Sequence, residues 1–152
     1  MGILAPDVQE FVRKEKLAFV ATTCPDGTPN LSPKGTTTVW DDDHLVFADI
    51  HSPGTVENLL RNPSIEINVV DFFIRKGYRF KGVATVYSEG QTFDEVIAFY
   101  RKAGSKHSIK NIVLIKVEHV SPVWSPAYDI GLTEEDVKER WREYWNGLYP
   151  SK

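Results

Sequence analysis

The chain has almost nothing with which to cross-link itself. Among 152 residues it carries a single cysteine, Cys24, so no intramolecular disulfide can form and the fold does not depend on an oxidising compartment. It also lacks any apolar run near the roughly 18 residues that a membrane span needs, and its start, MGILAPDVQEF, lacks the basic-then-apolar layout of a signal peptide. These absences make a cytoplasmic location the expectation. A basic excess is missing too: net charge is -3 and the isoelectric point about 5.8, which argues against a general nucleic-acid binder. Histidines 44, 51, 107 and 119 show no metal-ligand spacing. There is no repeat, no low-complexity tract and no Pro/Gly/Ser linker long enough to divide the chain.

What is present reads as one domain over residues 1–152, with 41% hydrophobic and 26% charged residues. Val8, Phe11 and Val12 lie three and four apart behind Pro6, which predicts a short amphipathic helix over Pro6–Lys16. LAFVATT, residues 17–23, is apolar and β-branched and runs into the turn chemistry of Pro25-Asp26-Gly27-Thr28. The chain then returns over Asn30–Trp40, reverses at Asp41-Asp42-Asp43 and continues as HLVFADI, residues 44–50. Three strands in succession predict an antiparallel meander. Alternation of Ile65, Ile67 and Val69 with polar neighbours predicts the next strand, and YRFKGVATVYS, residues 78–88, follows with Arg79 and Lys81 on one face. NIVLIKVEHV, residues 111–120, is the most apolar strand. Helices are predicted at TVENLLRN, closed by Pro63, at Gln91–Ala103 and at Thr133–Trp145. Six mainly antiparallel strands with four short helices imply an α+β domain built on a closed or nearly closed barrel.

Two segments stand out because their composition suits ligands better than hydrocarbon. In Ile50-His51-Ser52-Pro53-Gly54-Thr55, with Asn58 one turn on, a strand ends and a helix begins among small residues and hydroxyls. Helix starts carry unpaired N–H donors and partial positive charge, which suits phosphate; ordinary capping uses the same residue types. NLSPKGTTTVW, residues 30–40, sets a lysine, a glycine and three threonines where a strand should bury apolar surface, although threonine is itself a common strand residue. A meander would bring both segments to one end of the sheet. Arg75, Lys76, Arg79 and Lys81 add positive charge from a later strand, or form a solvated face.

LAFVATTCPDGTPNLSPKGTTTVWDDDHLVFADIHSPGTVENLLRNPSIEINVV followed by RKGYRFKGVATVY resembles the pyridoxamine 5'-phosphate oxidase-like proteins, which have an FMN-binding split barrel. DGTPNLSP, a Thr-x-x-Asn helix start, an Asn-Pro and a Lys-Gly-x-Ala strand fall in the family's order from about Leu17 to Val120. The resemblance implies a six-stranded split β-barrel, a homodimer, and FMN along the subunit interface. It implies that Ser32, Pro33, Lys34, Gly35, Thr36 and Thr37 line the flavin. It places Ala48, Asp49, Ile50, Ser52, Gly54, Thr55 and Asn58 on the phosphate side, with Lys81 nearby and Trp124 as aromatic cover from its own or the partner subunit.

Two departures matter. Many relatives carry a cation where this chain has Pro53-Gly54-Thr55, so Lys34, Arg79, Lys81 or backbone donors must stand in. The Trp- and Arg-rich C-terminal signature of true pyridoxamine phosphate oxidases is absent, so the resemblance implies an FMN-dependent oxidoreductase with a different small substrate. A non-catalytic flavin- or haem-binding protein using the same cleft is the alternative, with His51 as the nearest iron ligand. Trp141 and Trp145, four apart on one helix, read as core or dimer packing.

Overall fold

In a computed structural model describing residues 1–152, the backbone forms one seven-stranded antiparallel sheet in the order β2-β1-β5-β6-β7-β4-β3. The elements are α1 (Pro6–Lys14), β1 (Ala18–Thr23), β2 (Pro29–Lys34), β3 (Thr38–Val39), β4 (His44–Asp49), α2 (Pro53–Arg61), β5 (Ser64–Asp71), β6 (Lys76–Tyr87), α3 (Gln91–Lys102), β7 (Asn111–Trp124) and α4 (Glu134–Leu148). The sheet curls into a half-barrel flanked by the four helices, an α+β fold. No helix is long and apolar enough to cross a membrane.

The strand expected over residues 30–40 is two strands. Gly35 and Thr36 form a turn after Lys34, and the chain changes partner there: β2 pairs with β1, whereas β3 pairs with β4. The count is therefore seven rather than six. The expected meander is also broken, because β2 and β3 lie at opposite ends of the strand order. Proline explains part of it. Pro29 and Pro33 fit β2 as an edge strand, since neither can donate to a further neighbour.

Burial follows the pleat. Leu45 and Phe47 face the main core with Val20, Ile67, Phe80 and Ile115, while Val46 and Ala48 pack against Val96 and Tyr100 of α3. β4 is covered on both faces, which is why HLVFAD reads as an unbroken apolar run. The two long strands β6 and β7 form the spine of the sheet and slip register at a bulge between Lys81 and Gly82. Gly82 lies so close to β7 that a side-chain carbon there would overlap the Lys116 carbonyl. Gly82→Ala is therefore expected to lower stability by about 1–3 kcal/mol through overpacking, read as a lower urea midpoint at unchanged slope.

Candidate functional site

A buried ammonium organises the site. Lys34 ends β2 and is 6% exposed, and its Nζ donates to Ser32 Oγ at 2.7 Å and to Ser52 Oγ at 2.8 Å. Ser32 stands two residues earlier on β2, so both side chains fall on one face of the strand. Ser52 comes from the far side, at the start of α2. No carboxylate reaches ion-pair distance of Lys34. Its pKa is lowered from the ordinary 10.5 by burial, with Asp49 partly opposing that shift.

Asp49 is occupied elsewhere. Its Oδ1 accepts from Ser52 N–H at 2.8 Å and its Oδ2 from Asn111 Nδ2 at 3.0 Å, while its backbone carbonyl accepts from Lys110 N–H at 3.0 Å. These bonds tie the end of β4, the start of α2 and the start of β7 into one corner. Ser52 does not cap its own helix, so its hydroxyl is turned toward Lys34. A cleft of about 190 Å³ bordered by Asp49, Ser52, Val56 and Asn111 opens beside this corner.

The turn after Lys34 is fixed by hydroxyls rather than by ladder bonds. Thr36 Oγ1 donates to the Ala48 carbonyl at 3.2 Å and accepts from Ala48 N–H at 3.0 Å, extending the β3–β4 pairing by a side chain. Thr37 Oγ1 donates to the Lys34 carbonyl at 3.2 Å. Tyr100, reaching in from α3, donates its hydroxyl to the Thr36 carbonyl at 2.7 Å, and its burial raises its pKa. Within the chain, the backbone N–H groups of Gly35 and Thr36 find no acceptor. Pro33 and Gly35 are exposed beside them, and Ile50 is half-buried where β4 ends.

The remaining expected residues separate into three places. Thr55 and Asn58 are buried on α2, where Asn58 Nδ2 donates to Thr22 Oγ1 at 3.0 Å and lies 3.8 Å from Cys24 Sγ. Asn58 therefore fastens the helix to β1, and Cys24 is a half-buried neighbour of that joint. Gly54 is exposed at the helix start, with open space around it. Lys81 faces outward and pairs with Glu66 at 3.6 Å, as Arg79 does at 3.0 Å. Of the cations considered for the missing phosphate partner, Lys34 is the one in contact with Ser52.

Trp124 is 54% exposed at the end of the 14-residue β7, whose first residue is Asn111. At about 3.3 Å per residue the far end lies roughly 40 Å along the strand. It borders a cleft of about 450 Å³ with Phe11, Tyr78, Tyr128 and a Lys76–Glu134 ion pair of 2.8 Å. Tyr100 and Asn111 are the site residues that sequence reasoning missed. An asparagine opening the most apolar strand was the available signal for one, and nothing local marked the other.

The family model described as Pyridoxamine 5'-phosphate oxidase matches residues 4–124, and the chain belongs to this family. Uncharacterized protein MJ0282 of Methanocaldococcus jannaschii is 29% identical over 80 residues, covering 51% of this chain and 53% of that protein. The chain thus matches about half the length of that curated relative. HupZ of Group A Streptococcus is 27% identical with a TM-score of 0.73, over 81% of this chain and 96% of that one. An FMN-binding protein from Syntrophomonas wolfei subsp. wolfei shares the fold at 17% identity and TM-score 0.67, over 80% and 87% of the two chains.

Two outcomes are expected from this geometry. The folded state gives up the Lys34 proton before the unfolded chain does, so stability rises with pH between the lowered value and the ordinary 10.5. Lys34→Met, which keeps the hydrocarbon stem, should remove that rise from a series of urea midpoints measured toward pH 10.5. Tyr100→Phe should cost about 1 kcal/mol for one hydrogen bond and speed amide exchange at Ala48, whose N–H is held by the Thr36 hydroxyl.

Proposed function

We propose that the chain is an FMN-dependent oxidoreductase acting as a cytoplasmic homodimer. Lys34 carries this reading: a buried cation held by two neutral hydroxyls is poorly compensated, and a phosphate dianion supplies what it lacks. The residues present fit the cofactor. Ser32, Ser52 and the start of α2 offer further donors to the phosphate, and the free N–H groups of Gly35 and Thr36 suit the polar edge of a flavin lying along Pro33–Thr37. When bound, FMN supplies hydride and single-electron transfer.

The protein's part is to hold that ring and exclude water from it. Thr36 and Tyr100 fix the backbone that meets the flavin edge. Lys34 balances charge from a position that Ser32, Ser52 and the Asp49 corner keep rigid. Trp124 stands at the opposite end of β7 from Asn111, which braces the Asp49 corner, and in the proposed homodimer a second copy supplies that wall. The FMN-binding relative with the same fold supports the cofactor. The proposed substrate is a small molecule other than pyridoxamine phosphate.

Purified protein is expected to show the absorbance of oxidised flavin, and added FMN to raise the melting temperature. Lys34→Met should weaken FMN by about tenfold to a hundredfold, as for loss of one charged hydrogen-bond partner. A Soret band, or a melting temperature indifferent to FMN, would sink the proposal.

A further inference from the structure

The turn between β5 and β6 contains a second unusual cation. Arg75 is the one non-glycine residue with positive φ, 54°, a conformation that glycine would adopt without strain. Both ends of the turn are tied, by Arg75 N–H to the Asp71 carbonyl at 2.8 Å and by Ser125 N–H to the Arg75 carbonyl at 2.9 Å. The guanidinium lies over the Trp141 ring, 3.6 Å from its centre, and Nε is shut from solvent without an acceptor.

Arg75 also lacks a counter-ion. Lys76, Arg79 and Lys81 all meet glutamates, but Arg75 meets none. The nearby Asp71 carboxylate is occupied by the N–H groups of Phe73 and Ile74 at 2.8 and 3.1 Å and faces Lys14 at 3.7 Å. Arg75 lines a cleft of about 310 Å³ with Val70, Val123, Trp124, Ser125 and Trp141. Trp124 is the wall between this cleft and the larger one beside Tyr78.

We propose that Arg75 and the two indoles form a recognition site for a planar co-substrate bearing a carboxylate or phosphate. A guanidinium stacked on an indole keeps its terminal Nη–H groups for an oxyanion, and the exposed Trp124 ring offers a flat face to the body of the ligand. The site deepens the proposed function by naming the class of molecule that exchanges electrons with the flavin. It rests on that reading for the ligand's role, but not for binding.

The test is a titration of the full-length protein, with and without FMN, followed by tryptophan fluorescence and calorimetry. Nicotinate and phenyl phosphate serve as anionic probes, and nicotinamide as the uncharged control. Either anion should bind at least about tenfold more tightly than nicotinamide, a gap of roughly 1.4 kcal/mol; which one binds separates carboxylate from phosphate. Arg75→Gln should abolish the preference, Arg75→Lys should retain part of it, and FMN affinity should be unchanged in both. Arg75→Gly relieves the backbone strain, so a variant that melts normally yet loses the preference supports the site. Binding of both anions no tighter than that of nicotinamide, no binding of either anion at about 10 mM, roughly tenfold above the weakest KM values usual for enzyme substrates, or full preference in Arg75→Gln would overturn it. If FMN fails to bind while the anion preference persists, the flavin reading falls and this one stands.

Discussion

One threonine hydroxyl carries the β3–β4 pairing back to the turn that follows Lys34. Thr36 Oγ1 both donates to and accepts from the backbone of Ala48, doing with a side chain what a ladder does elsewhere. β2 and β3 lie at opposite ends of the strand order but are joined by Gly35–Thr37 alone, so the chain itself sets the end of β2 beside the β3–β4 pair, and this contact fixes it there. Lys34, two residues before Thr36, then meets Ser52, which follows β4.

Around that contact, polar groups are sorted by whether the protein has already satisfied them. Asp49 spends both carboxylate oxygens on Ser52 and Asn111. Asn58 is used on Thr22. Lys34, by contrast, has only hydroxyl partners, and a cation desolvated without an anion is the costly arrangement. The difference separates residues that build the corner from the residue left available to a ligand.

Much of this was readable from the chain, and the parts that were not share a cause. The turn at DGTP, the apolar run of β4 and the alternation in β5 and β6 are local patterns and appear where the sequence puts them. Lys34 and Ser52 were identified separately, and their juxtaposition was expected from a meander. The juxtaposition is present, but through closure of a curled sheet, because pairing of β4 with β7 and of β1 with β5 depends on contacts far apart in sequence. The same reason hid Tyr100: its spacing marks it as part of a helix stripe, and only the docking of α3 against β4 gives its hydroxyl the Thr36 carbonyl. Trp141, expected to be core or dimer packing, lies half-buried beneath Arg75 on a helix whose buried residue is Val137.

The length of β7 carries a genetic consequence. Asn111 at one end braces the corner that holds Lys34, and Trp124 stands at the other end. In the proposed homodimer each cofactor is therefore framed by the near end of one chain and the far end of the other. Two alleles, one damaged at Lys34 and one at Trp124, would each give a defective homodimer. Co-expressed, they would form mixed pairs in which one site inherits both lesions and the other inherits none, so two inactive genes would complement.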